Sequence, residues 1–176
     1  MDLIKEHIRA IPDFPKPGIM FRDVTTLFAH PSAFRATIDA LAERIAASNA
    51  DVIAGVEARG FILGAPVAEK LGLGFAPVRK RGKLPWRTIS ESYELEYGSA
   101  EIEVHEDAAQ PGQRVALVDD LIATGGTGLA AISLMRRLKA EVCIFAAVVD
   151  LPELGGAEKL RAACPTVEAL VSFDGH

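Results

Sequence analysis

The chain has 176 residues, 49% hydrophobic and 24% charged, with a formal net charge of −5, which predicts one globular domain with a sizeable core. The acidic balance weighs against generic nucleic-acid binding, which relies on a basic face to neutralise phosphate. No apolar run approaches the roughly 18 residues that span a bilayer.

The N-terminal stretch lacks a signal-peptide pattern, so a cytoplasmic location without membrane attachment is expected. Residues 1–11 read as an amphipathic helix, with Leu3, Ile4, His7, Ile8 and Ile11 near helical spacing, stopped by Pro12. A proline-stiffened aromatic loop runs from Phe14 to Asp23. Pro31 suits a first helical turn, and Phe34, Ile38, Leu41 and Ile45 recur behind it at helical spacing. Asp51 to Val56 predicts a buried strand, followed by Glu57-Ala58-Arg59-Gly60 and a helix to about Leu71 that Gly72 ends. Leu73 to Val78 is another strand, and the basic run Arg79-Lys80-Arg81-Gly82-Lys83 follows it. Thr88 to Tyr97 and Ala100 to His105 predict an antiparallel pair turning at Gly98-Ser99. Val115 to Val118 reads as a short buried strand, and Leu129 to Lys139 as a helix. Strand Val142 to Val149, a short helix near Ala157 to Ala163 and strand Val167 to Phe173 complete the chain. Cys143 lies in an apolar run and predicts a core thiol, whereas Cys164, before Pro165, predicts a place near a surface turn. Neither cysteine has metal-ligand spacing to any of the four histidines, so no protein-held metal is expected.

Strands alternating with helices imply right-handed crossovers and an α/β fold, a mainly parallel twisted sheet flanked by helices. Ligands on such sheets bind beyond the carboxyl ends of the strands. That rule collects Glu57 to Gly60, Arg79 to Lys83 and Asp119 to Thr127 along one rim.

The third of these segments carries the most chemistry. Two acids, Asp119 and Asp120, sit where the strand from Val115 is expected to end, and Ala123-Thr124-Gly125-Gly126-Thr127 leads into a helix. Backbone N–H groups in such a loop, with the positive end of the helix dipole, cradle a phosphate dianion, and the two threonine hydroxyls add donors. The carboxylates would repel phosphate, so they suit neighbouring hydroxyls, such as those of a ribose whose 5′-phosphate occupies the loop. A P-loop needs a Lys after its second Gly and a Rossmann fingerprint needs G-x-G-x-x-G after the strand; neither is present. Arg59, beside Gly60, offers a planar guanidinium suited to pyrophosphate, and the basic run suits a lid over such an anion.

The run Val115 to Thr127 resembles the 5-phosphoribosyl-1-pyrophosphate (PRPP) signature of the type I phosphoribosyltransferases. Phe14-Pro15-Lys16-Pro17-Gly18 with Phe21-Arg22-Asp23, Ala58-Arg59-Gly60-Phe61, Arg79 to Pro85 and Ser92 to Gly98 extend the resemblance, over residues 10–140, to the adenine-specific branch of that family. The resemblance implies one domain over 1–176, with a base-binding hood at 1–30, a lid and hairpin at 79–105 and a PRPP loop at 115–127. It implies the reaction of adenine with PRPP to give AMP and pyrophosphate, with Mg²⁺ bound chiefly through substrate oxygens. Main-chain groups around Met20 and Arg22 would read the adenine edge, with Phe21 walling the pocket. Asp119, Asp120, Ala123, Thr124, Gly125, Gly126 and Thr127 would hold the ribose 5-phosphate, and Arg59, Arg79, Lys80 and Lys83 the pyrophosphate. Glu96 would place a carboxyl near the purine N7 as the acid–base group, and Tyr97 would close the lid. A non-proline cis peptide at Glu57–Ala58 and a homodimer are implied as well; the apolar surplus on the helix from Phe61 to Leu71 suits the latter. Two alternatives stay open: transfer to xanthine or hypoxanthine, and a PRPP-sensing, nucleic-acid-binding regulator on the same fold.

Overall fold

The N-terminal segment departs from the expected helix. In the computed structural model, which describes residues 1–94 and 98–175, helix α1 covers only Asp2–Glu6. Arg9–Ile11 then forms strand β1, antiparallel to β2 (Phe21–Asp23). Strand pairing prevails because Arg9 lies opposite Asp23 and donates to its carboxylate at 2.5 and 3.1 Å. The Thr25 amide and hydroxyl donate to the same carboxyl group at 2.9 Å. The Arg9 hydrogen bond, helped by Thr25 and opposed by burial, lowers the Asp23 pKa to about 2.

Helix α2 (Thr25–Ala29) leads into α3 (Pro31–Ala46), where Pro31 opens the helix and the His30 ring accepts from the Ala33 amide at 3.3 Å. Of the predicted stripe, Ile38, Leu41 and Ile45 are buried and Phe34 is partly buried, packed against the core. Strand β3 (Val52–Val56) is buried throughout, and α4 (Arg59–Leu71) ends at Gly72, whose φ of 68° is the left-handed conformation that glycine adopts without a Cβ clash. Then follow β4 (Gly74–Lys80), β5 (Thr88–Glu94), β6 (Ser99–His105), β7 (Arg114–Ile122), α5 (Gly126–Arg137), β8 (Glu141–Asp150), a 3₁₀ turn at Pro152–Leu154, α6 (Gly156–Arg161) and β9 (Val167–Ser172).

Seven strands form one sheet in the order β5-β6-β4-β3-β7-β8-β9. The run from β4 to β9 is parallel, and β6 and β5 extend it antiparallel at the β4 edge. This is the mainly parallel, helix-flanked sheet read from the alternation of elements. Side chains from α3, α4 and one face of the sheet fill one core layer; those from α5, α6 and the other face fill the second.

Three further expectations are corrected. The signature strand does not stop before its acids: β7 runs to Ile122 because β8 continues to pair with it, Asp119 opposite Ala147 and Ile122 opposite Asp150. Helix α5 starts at Gly126, one turn before Leu129, since Gly125 at φ 83° already turns the chain into it. Cys164 is buried, 3% exposed, because the turn after α6 folds back onto the sheet and brings the thiol against the Val142 and Thr166 carbonyls.

Candidate active site

Pairing between β3 and β7 ends at Gly55 and Val118, while β7 and β8 remain paired to Ile122 and Asp150. The strands splay there, and the loops after β3, β4 and β7 converge on the opening. Close contact at Gly60 sets the spacing: a Cβ there would lie 2.6 Å from the Val118 carbonyl oxygen, so α4 approaches β7 at a distance only glycine allows.

Three recesses meet in this opening. The smallest, about 80 Å³, is lined by the loop from Ala123 to Thr127 together with Asp119 and Leu121. The first turn of α5 has no acidic residue and Gly125 provides no side-chain cap, so its N–H groups present an uncompensated positive helix end. A second recess, about 200 Å³, lies between Glu57, Arg59, Lys80, Asp119, Asp120 and Thr127. The third is an apolar cleft of about 640 Å³ under the segment Pro17 to Arg22, floored by Leu121, Ala123, Thr124, Leu151 and Leu154. Leu121 lines all three, and Arg59 stands between the second and third.

Electrostatics divide the opening. Asp120 is buried and accepts from the Arg59 guanidinium; Asp119, partly covered, accepts from the Asp120 amide at 2.8 Å. Burial, and then the neighbouring Asp120 charge, push the Asp119 carboxyl well above the usual carboxylate range. Burial works against the Arg59 charge, but the hydrogen bond and charge of Asp120 outweigh it and raise the guanidinium pKa. The pair is thus a carboxylate dyad with one guanidinium already engaged at its edge.

Of the predicted basic residues, Arg59 and Lys80 face the second recess. Arg79 does not: its Nε donates to Glu57 at 3.3 Å and its Nη1 to the Lys83 carbonyl at 3.0 Å. Lys83 is exposed beyond the recess, its amide donating to Glu103. Met20, Phe21 and Arg22 all line the apolar cleft. Phe21 meets Phe14 edge-on at 5.2 Å, and the Arg22 guanidinium lies over the Phe173 ring, 4.4 Å from its centre, donating to the Gly175 carbonyl at 3.2 Å. The Glu57–Ala58 peptide is cis. Glu96 and Tyr97 lie outside the described residues, although Tyr93, shortly before them, lines the second recess.

Several contributors escape a reading by motif. Leu121, Leu151 and Leu154 read as ordinary core residues. Glu101, which no motif marks, accepts from Arg81 at 2.6 Å and from the Ser90 hydroxyl at 2.5 Å. Gly156 opens α6 directly beneath the phosphate loop, where a Cβ would sit 2.1 Å from the Ala123 carbonyl oxygen; the Gly155-Gly156 pair was its only signal.

The phosphoribosyl transferase domain family matches residues 23–167. An adenine phosphoribosyltransferase of Methylobacterium nodulans is 57% identical over 176 residues, covering 100% of this chain and 97% of that relative. The crystal structure of adenine phosphoribosyltransferase from Thermoanaerobacter pseudethanolicus superposes with a TM-score of 0.93 at 46% identity, covering 98% of this chain and 99% of that one. The Saccharomyces cerevisiae enzyme, complexed with an imino-altritol bisphosphate and adenine, gives 0.89 at 40% identity, with 97% of each chain covered.

Proposed function

The chain belongs to the phosphoribosyl transferase family, and we infer from that membership that it transfers the 5-phosphoribosyl group of PRPP to adenine, giving AMP and pyrophosphate. It is a glycosyltransferase of purine salvage. One observation of the molecule carries this reading: an apolar cleft with room for a base, a glycine-rich phosphate-sized cradle and a charged recess holding Arg59 and Lys80 share a wall at Leu121, and Arg59 borders both the recess and the cleft. A base, a ribose 5-phosphate and a pyrophosphate group need three such compartments around one ribosyl carbon.

In this reading adenine lies under the hood, its edge against main-chain groups of Met20 and Arg22, with Phe21 as a wall. The 5-phosphate occupies the loop of Ala123, Thr124, Gly125, Gly126 and Thr127. Asp119 and Asp120 face the ribose hydroxyls, and Arg59 and Lys80 face the departing pyrophosphate, with Lys83 adding positive charge at its edge. Positive charge on that side stabilises the leaving group as the ribosyl carbon becomes cationic. Glu96 exchanges a proton at the purine N7, and Tyr97 shields the site. The donor set suits a metal that arrives with its substrate. No group of three or more His, Cys, Asp or Glu side chains is placed to hold one among the described residues, and Asp119 or Asp120 would be the protein oxygens nearest to a hydrated Mg²⁺ carried by PRPP. When bound, Mg²⁺ neutralises pyrophosphate charge.

A homodimer belongs to the same proposal, supported by Ile62, 44% exposed on α4; sedimentation of a fully active monomer would exclude it. No helix among the described residues is long and apolar enough to cross a membrane. A cytoplasmic location is proposed with the substrate, a polyanion that does not cross bilayers unaided, and cell fractionation tests it. The deciding experiment is a PRPP-dependent assay with adenine, hypoxanthine, guanine and xanthine, with Mg²⁺ varied. Product from adenine alone, in the presence of Mg²⁺, is expected; equal use of an oxopurine overturns the base assignment. Glu96→Gln is expected to lower turnover at least about 10²-fold, and near-normal turnover would remove Glu96 from its role.

A further inference from the structure

Glu103, on β6, is 3% exposed and stands beside the most basic segment of the chain, yet among the described residues it forms no salt bridge with it. Opposite Arg79 on β4 and Ser90 on β5, its carboxylate points into the base of the loop. Oε1 accepts from the Lys83 and Leu84 amides, both at 2.9 Å, and Oε2 from the Thr88 hydroxyl at 3.4 Å. Burial alone would raise its pKa, but the amides of Leu84, Gly82 and Lys83 and the Thr88 hydroxyl bring it below the usual value. It therefore stays ionised and stays bound to backbone.

The other end of the loop is fixed in the same manner. Glu57 Oε2 accepts from the Lys80 amide at 2.9 Å, and the Arg79 guanidinium closes the turn onto the Lys83 carbonyl. Residues 80–84 are thus pinned by two carboxylates through main-chain amides. Neither Lys80 nor Lys83 forms a salt bridge among the described residues. A carboxylate satisfied by backbone orients a cationic loop without neutralising its lysine ammonium groups, and those remain available to an anionic ligand.

We propose that Glu103 is a positioning residue for PRPP: it fixes the backbone of the basic loop so that the loop's lysines stand ready at the pyrophosphate side of the site. The proposal rests on the reading of that loop as the pyrophosphate side. Loss of one charge-assisted clasp predicts that Glu103→Gln, nearly the same in shape, raises the KM for PRPP about tenfold. The KM for adenine is expected to stay within about twofold, because the hood is untouched. Lys80→Ala and Lys83→Ala are measured alongside, with the double variants Glu103→Gln/Lys80→Ala and Glu103→Gln/Lys83→Ala. If Glu103 acts through the lysines, at least one double variant loses less PRPP affinity than the product of its singles. Three results overturn the proposal. An unchanged KM for PRPP in Glu103→Gln, with the lysine variants impaired, removes Glu103 alone. Equal rises in both KM values with a lowered melting temperature reduce Glu103 to a structural residue. An unchanged KM for PRPP in both lysine variants removes the pyrophosphate reading of the loop and this proposal with it.

Discussion

The phosphate loop, residues 119–127, and the basic loop, residues 79–84, lie on the same rim of one sheet but are held by different forces. The first is fixed by backbone contact: it leaves a strand paired up to Ile122, turns at Gly125 and rests on Gly156 without room for a methyl group. The second is exposed over most of its length and is held by carboxylates, Glu57 and Glu103 on its amides and Glu101 on Arg81. Steric contact is insensitive to salt and acid; carboxylate clasps respond to both. The hood follows the second pattern, since its β1–β2 pair is tied by Arg9 and Asp23. In the proposed reading, the 5′-phosphate that PRPP and AMP share meets the rigid part of the site. The parts proposed to admit a base and release pyrophosphate are tied electrostatically.

The largest effect should come from breaking the steric contact. Gly156→Ala puts a methyl group into the Ala123 carbonyl and moves the cradle, so kcat/KM for PRPP should fall about 10²-fold, with AMP binding weakened alongside. Calorimetry showing AMP bound as in the parent would contradict a sterically fixed cradle. In the hood, Asp23→Asn keeps an acceptor for Thr25 but loses the charge pair with Arg9, which is 55% exposed. About 1 kcal/mol is expected, or roughly 2–4 °C in Tm. Its sign with pH is fixed: a depressed pKa contributes stability above the ordinary carboxylate value, lost as pH falls through the native value of about 2. Parent and variant should therefore differ fully above pH 4 and converge toward pH 2 in melting experiments. A difference that grows in acid would refute the clasp.

Salt sharpens the contrast between the two loops. Raising ionic strength from about 0.05 to 0.5 M should raise the KM for PRPP a few-fold more than the dissociation constant of AMP, because in the proposed reading only PRPP reaches the basic loop. Parallel responses would show that both loops bind by the same means. The smallest effect belongs to Arg137, which donates to the Ser90 carbonyl and Glu91 from an exposed position. Arg137→Ala should cost no more than about 0.5 kcal/mol in denaturant unfolding; a larger loss would make that contact a principal anchor of the β5–β6 hairpin.

The order of strands and helices in the main sheet, the helix stop at Gly72, most of the buried stripe of α3 and the glycine-rich turn into α5 were legible in the sequence. Each depends on local chemistry: periodic apolar residues, a left-handed glycine, and donors grouped within a few positions. The same holds for the segments gathered on one rim, since parallel crossovers leave strand ends little freedom. What the sequence did not disclose depended on partners far along the chain. Residues 9–11 become a strand because Asp23 and residues 21–23 lie opposite them, and β7 carries its acids inside the ladder because β8 is long enough to pair with them. Arg59 meets Asp120 across 61 positions, and Cys164 is covered by the sheet it folds back upon. Glu103 reads as one acid among several until β6 sets it beneath the amides of Lys83 and Leu84. Local sequence determined the elements and the chemical groups; tertiary structure decided which groups face one another, because pairing and burial are set by strand register and close packing between distant segments.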